Sequence, residues 1–292
     1  MKNGFTLIEL SVVLIIIGLI VSGVLLGNYL IEASKVSAQI SQITKYNLAV
    51  RAFQSKYNCL PGDCKNAQNF GFKPRGIKRG QGDGNSFIDG YITFPPGRGP
   101  GNASGCCQLD VAELALFWTD LSMAQLIDGN FNTASATVAT TGVSSANLIK
   151  YMPKAKLGNE NYIYVIGGGY QSLALSNIFG DNNHYFGIQQ MNSINQYGWP
   201  LSNINIKVIT AYNIDKKIDD GFPQSGGVMT LMNEFSRMWA GNSTMGGPFT
   251  TATPSSNTSC FDNGNVNGEK QRYSLSVNDG NNSSCALLIK FQ

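Results

Sequence analysis

The sequence predicts an α+β protein with one long N-terminal α-helix, transmembrane in its first half and amphipathic in its second. That helix packs on a globular head built on a mainly antiparallel β-sheet. Three observations carry the prediction. An uncharged apolar run extends from Leu10 to Ile31. Apolar residues then continue at helical spacing as far as Tyr57. Beyond Pro61 the pattern changes to short β-like segments separated by Gly, Asn and Asp turns.

The apolar run is about 22 residues long, which at roughly 1.5 Å per residue spans the hydrocarbon layer of a bilayer. Lys2 lies on its short N-terminal side and is expected to stay cytoplasmic, placing everything after Ile31 across the membrane. A secretory signal peptide fits less well. The run exceeds a usual signal core, no small-x-small cleavage site follows it cleanly, and the helical pattern continues past it. After Glu32, the residues Val36, Ile40, Ile43, Val50, Phe53 and Tyr57 recur at three- and four-residue steps or their sums, leaving Lys35, Gln39, Gln42 and Lys45 mainly on other faces. Pro61-Gly62 cannot continue the helix, so its end is expected near Tyr57, on the order of 80 Å from Phe5. Gly18, Gly23 and Gly27 are places where it could bend, or where a neighbouring helix could approach closely.

At 292 residues, 42% of them hydrophobic, the chain can bury a real core in one large domain or two small ones. Charged residues make up only 13%, so the surface is polar more than ionic. A net charge of +3 is too small to imply a nucleic-acid partner by itself. In the head, Pro61-Gly62-Asp63 reads as a turn that reverses the chain. Leu109 to Ile127 reads as an amphipathic helix closed by Gly129, and Ser202 to Asp219 as including a second short helix. Strands are expected at Tyr162–Ile166, Tyr185–Gln190, Val228–Met232, Tyr273–Val277 and Ala286–Phe291. The segment from Asn130 to Asn147, rich in Ser, Thr and Ala, reads as a surface loop.

Glu9 stands at the head of the apolar run. An ionised side chain at membrane depth costs several kcal/mol unless it pairs, so its presence points to function. A partner arises if the chain is cut. Cleavage after Gly4 creates an α-ammonium on Phe5, four residues from Glu9, which could meet the carboxylate within one helix or between staggered helices.

The stretch KNGFTLIELSVVLIIIGLI resembles the N-terminal signature of type IV prepilins and of the related pseudopilins of type II secretion systems. The family has a short basic leader ending in Gly, then Phe, then Glu four residues later at the head of a long apolar helix. KYNCLPGDCKNA, FWTDLSMAQLIDG and NIDKKIDDGFPQSGGV are similar to segments of a branch with large globular heads. The resemblance implies a leader at 1–4, a transmembrane and assembly half of the helix at 5–31, an amphipathic half at 32–58 and a periplasmic or extracellular head at 59–292. It implies cleavage between Gly4 and Phe5 by prepilin peptidase, methylation of the new Phe5 amine, and an inner-membrane precursor with a cytoplasmic N-terminus. Identical or related pilin subunits and an inner-membrane assembly platform would be the partners, and Glu9 would guide register in a helical filament. Many members carry a helix-kinking proline in the apolar segment; here the first proline is Pro61, so any bend would rest on glycines.

All six cysteines, Cys59, Cys64, Cys106, Cys107, Cys260 and Cys285, follow the span, where disulfides would persist. Heads of the resembled kind imply a Cys260–Cys285 bridge across a polar hairpin-like segment, the alternative being free or exchanged thiols. Adjacent Cys106 and Cys107 would pair with each other only in unusual geometry. The favoured arrangement therefore joins the pair Cys59 and Cys64 to that second pair, although spacing does not choose among the connectivities six cysteines allow. Zinc is a poor alternative without CxxC spacing or accompanying histidines.

No resident cofactor is expected beyond a possible structural calcium, which some pseudopilins carry. GDGNSFIDG offers Asp83, Asn85 and Asp89 at alternate positions, like the opening of a calcium loop, but lacks the distal bidentate Glu. DKKIDDG (Asp215, Asp219, Asp220) and FDNGNVNG (Asp262, Asn263, Asn265) are weaker versions, and such clusters are usually turns. Lys73, Arg75, Lys78 and Arg79 form a basic loop that could meet DNA or an anionic surface, or could be only a solvated loop or an ion-pair surface between subunits. Catalysis has little support. His184 is the only histidine, read as a surface residue in a turn, and neither GxSxG nor HExxH is present. The reading is a non-enzymatic structural subunit of a type IV pilus or type II secretion pseudopilus. The alternatives are a minor tip subunit acting as adhesin or DNA-uptake receptor, and a non-polymerising membrane-anchored periplasmic binding module.

Overall fold

The computed structural model describes the chain except residues 1–5, 78–79, 89, 92–103, 106–108, 138–141, 168–182, 196–197, 199, 202–204, 233–258, 265, 267–268 and 292. Helix α1 runs unbroken from Leu7 to Tyr57, through Gly18, Gly23 and Gly27. Its end falls where the sequence places it, four residues ahead of Pro61. Asn58 closes it in the left-handed conformation (φ 56°), donating its N–H to Gln54 O at 2.8 Å. From Leu7 to Ile31 the apolar side chains are exposed, and this helix is long and apolar enough to cross a membrane.

Burial starts at Val36 and follows a helical stripe through Gln39, Gln42, Ile43, Tyr46, Ala49, Val50 and Phe53. Gln39 and Gln42 lie in that stripe, contrary to the expectation that they face away. Gln42 donates to Lys154 O (2.9 Å) and to Tyr46 Oη (3.1 Å), and accepts from Lys156 N–H (3.0 Å). Gln39 accepts from Leu157 N–H (3.3 Å). The two amides pair with main-chain groups of the 154–157 segment, so they fix the register of the helix against the head.

The head is α+β. Strands β1 (Asn161–Gly167), β2 (His184–Gln190), β3 (Ile206–Lys207), β4 (Val228–Met232) and β5 (Ser283–Lys290) form an antiparallel sheet. β1 pairs β2 over its full length, and β5 pairs β2, β4 and, at its start, β3. β1 is buried along all seven residues, so its apolar run reads as continuous rather than alternating. Gly187 of β2 lies opposite Tyr164 of β1, whose ring occupies the space a Cβ would need. Helix α2 (Ala112–Met123), the one-turn α3 (Ser145–Leu148) and α4 (Val208–Ile218) complete the larger elements. α2 is shorter than expected at both ends.

An aromatic cluster joins stalk, helix and sheet. Tyr46 of α1 meets Trp118 of α2 edge-on at 5.0 Å, Trp118 stacks on Phe186 of β2 at 6.0 Å, and Phe186 stacks on Phe291 at 4.2 Å. Two expectations are corrected here. The Tyr273–Val277 strand is only Arg272–Tyr273, paired with Phe261–Asp262, because the chain turns after Tyr273 into a short 3-10 segment at Asn278–Gly280. The described part of Asn130–Asn147 is not a surface loop throughout. Phe131, Ala134, Ala136 and Val143 are buried, and Val143 bridges Ile194.

Candidate functional site

The N-terminal end of α1 is held by a reciprocal pair. Thr6 is the N-cap; its hydroxyl accepts from Glu9 N–H (3.3 Å), while the Glu9 carboxylate accepts from Thr6 N–H (2.8 Å) and from the Thr6 hydroxyl (2.8 Å). Glu9 is therefore folded back along the helix toward its first residue rather than outward. Its carboxylate meets a main-chain N–H one residue from Phe5, at the open positive end of the helix dipole. Gly4 and Phe5, the predicted processing residues, lie outside the described residues.

The other concentration of polar chemistry is the junction where α1 ends. Cys59 is bonded to Cys64, closing a six-residue ring, and Cys260 is bonded to Cys285 as the resemblance implied. The first bridge overturns the expected pairing of Cys59 and Cys64 with Cys106 and Cys107, which lie outside the described residues. A tight turn, Asp63 N–H to Leu60 O at 3.1 Å, brings the two sulfurs together within the loop itself. The ring is buried from Leu60 to Cys64. Gly62 adopts φ 88° with its Cα packed against Glu113 O of α2, so a side chain there would strike that carbonyl.

Around this ring, ionisable groups are matched from distant segments. Arg75 pairs with Asp120 of α2, its side chain 4% exposed and that of Asp120 fully buried. It also donates to Cys64 O (3.2 Å) and Lys73 O (3.1 Å). Lys73 donates to Asn132 O and Ala134 O. Both basic residues are thus engaged within the head, so the expected basic loop does not present Lys73 and Arg75 for DNA or an anionic surface. Lys78 and Arg79 lie outside the described residues. Burial pushes the Asp120 carboxyl up, and Arg75 opposes that shift by charge and hydrogen bond.

The acidic groups also differ in detail from a simple alternate-position loop. Asp83 gathers with Asp63 and Glu113, their carboxylate oxygens within 4.8 Å of one another. Asn85 Oδ1 accepts from Phe87 N–H and Asp83 Oδ1 from Asn85 N–H, while Asp89 lies outside the described residues. Five successive N–H groups converge on two carboxylates. Gly82 and Asp83 donate to Glu113 Oε1 (2.7 and 3.3 Å), and Gly84, Asn85 and Ser86 donate to Asp63 (2.8, 3.2 and 2.7 Å). Burial raises Asp63 to about 6, against the lowering effect of these N–H groups. Asp215 gathers with Asp219 and Asp220 and accepts from Tyr273 Oη (2.7 Å) and Gly221 N–H (3.1 Å). Burial likewise raises Asp215 to about 6.

His184 is not a surface residue. It opens β2, is buried between Phe87 and Phe291, and its Nε2 accepts from Ile88 N–H at 3.1 Å. Sequence reasoning missed the partners Asp63, Glu113 and Asp120. Their one sequence signal was a carboxylate within otherwise apolar or turn-forming stretches.

Residues 1–25 match the family model of the prokaryotic N-terminal methylation motif. The chain carries the prepilin signature. No curated protein and no solved structure matches the chain. The motif and the exposed apolar helix together support a type IV pilin-like or pseudopilin subunit, made as a membrane-anchored precursor.

Proposed function

We propose that the chain is a structural, non-enzymatic subunit of a type IV pilus or type II secretion pseudopilus. Prepilin peptidase removes residues 1–4 and methylates the amine of Phe5, and the processed subunit leaves the inner membrane by packing its apolar helix against those of neighbouring subunits. Before extraction the head lies on the periplasmic side.

One observation carries this reading. The carboxylate of Glu9 is already turned toward the N-terminal end of α1, where cleavage would place a new ammonium one residue beyond Thr6 N–H. In an apolar surrounding, a carboxylate and an ammonium satisfy each other only if both are present, which makes their pairing a condition for stable docking. The same pairing between staggered helices would select register. The apolar side chains from Leu7 to Ile31, exposed in the isolated chain, supply the remaining packing surface.

The test is incorporation of Glu9→Ala and Glu9→Gln into filaments expressed beside the wild-type machinery. Both are expected to lower incorporation at least tenfold while the head keeps its two described disulfides. Wild-type incorporation of Glu9→Ala would remove Glu9 from assembly.

A further inference from the structure

We propose that the Cys59–Cys64 ring is a redox-sensitive switch that locks the Gly82–Ser86 segment and helix α2 onto the end of the stalk, and that reducing it releases that segment while the sheet stays folded. This goes beyond the filament reading and does not depend on it.

The ring presents three consecutive polar groups to three partners. Gly62 N–H donates to Asp120 Oδ2 of α2 (2.7 Å), the Asp63 carboxylate receives the N–H groups of Gly84, Asn85 and Ser86, and Cys64 O receives Arg75 Nε. Arg75 closes the circuit by pairing with the same Asp120 oxygen that holds Gly62. All three ring groups are buried, so each is satisfied only while the ring holds its shape, and each one orphaned carries a desolvation cost. The 82–86 loop depends on the ring twice: directly through Asp63, and through Glu113, whose main chain packs against Gly62. The second disulfide, Cys260–Cys285, sits at the start of β5, and none of the hydrogen bonds above involves it.

The two sulfurs of the ring differ in access. Cys59 is half-buried and Cys64 buried. A dithiol therefore attacks Cys59 Sγ, forming a mixed disulfide and expelling Cys64 as thiolate. The second thiol of the reagent then displaces Cys59, leaving two protein thiols and the reagent as its own cyclic disulfide. Losing the constraint on a loop this short costs enough to speed opening on the order of tenfold or more.

The experiment is amide hydrogen exchange on the full-length chain in detergent micelles, comparing the oxidised wild type with C59S/C64S and C260S/C285S. Expected is exchange at Gly82–Ser86 about tenfold or more faster in C59S/C64S, with β2 and β5 protected as in the wild type, and wild-type exchange at Gly82–Ser86 in C260S/C285S. Unchanged protection at Gly82–Ser86 in C59S/C64S would overturn the proposal, and so would equal loss across the sheet, which would make the bridge a staple of the whole head. If C59S/C64S does not fold, titration of the folded wild type with dithiothreitol decides. Alkylation of Cys59 and Cys64 must coincide with release of Gly82–Ser86; alkylation with those amides still protected would refute the switch.

Discussion

Replacing Arg75 by methionine strands a carboxylate in the core. The Arg75 and Asp120 side chains are 4% and 0% exposed, and Arg75 also holds the carbonyls of Cys64 and Lys73. Methionine keeps much of the volume but leaves Asp120 with Gly62 N–H as its remaining described donor. Breaking a buried pair from one side costs about 3–5 kcal/mol, because the residual charge has neither water nor partner. The assay is denaturant unfolding of the full-length protein in micelles, followed by near-ultraviolet circular dichroism of Trp118 and its aromatic neighbours. The deficit must depend on pH. Burial already raises the Asp120 carboxyl, and losing Arg75 raises it further, so the penalty belongs to the ionised form. It is full at neutral pH and shrinks as pH falls and Asp120 protonates. The double variant R75M/D120N removes the charge but keeps an oxygen for Gly62 N–H, and it is expected to recover most of the loss. A deficit below about 1 kcal/mol, or one unchanged between pH 7.5 and 5 as approximate end points, would refute the buried-pair reasoning.

Three further outcomes follow from the same geometry. Asp63 and Asp215 both sit near 6, above their unfolded value, so their favourable contribution is complete below the unfolded carboxylate range and lost as pH rises through about 6. Head stability should fall over that window, and D215N should flatten the slope in unfolding measured at several pH values. Gln42→Leu leaves Lys154 O and Lys156 N–H without their described side-chain partner and should cost about 2 kcal/mol by denaturant unfolding, where a loss under about 0.5 kcal/mol would deny the clamp. The N–H groups of Gly82–Ser86 already supply the positive ends that face Asp63 and Glu113. The melting temperature is therefore expected to stay constant when EGTA is added, and a fall reversed by calcium would assign a cation there.

The helix and most of the sheet were legible because their signals are local. Period 3.6 from Val36 to Phe53 and the break at Pro61 needed no knowledge of partners, and the four strand segments near residues 162, 185, 228 and 286 are apolar runs bounded by turn residues. Glu9 stands out in the sequence because a charge inside an apolar run is costly wherever the rest of the chain goes. The junction was not. Arg75 and Asp120 are 45 residues apart, and Gln42 meets a segment more than a hundred residues away, so neither pairing leaves a periodic trace. The same holds for His184, whose partner Ile88 lies 96 residues earlier. Polarity marked Gln39, Gln42, Lys73 and Arg75 as surface residues, whereas their hydrogen bonds place them inside or against the head. The Cys59–Cys64 bridge was missed for a different reason: two cysteines around a Pro-Gly turn are equally compatible with closing on themselves and with pinning a distant loop.

The measurement that bears most directly on the proposed subunit is the intact mass and N-terminal sequence of the protein purified from its native membrane. The account predicts a chain starting at Phe5, lacking Met1 to Gly4 and carrying one added methyl on the new amine. A chain that still begins at Met1 would contradict it. Glu9 would then have no ammonium to meet, and the long helix would serve only as the anchor of a periplasmic binding module.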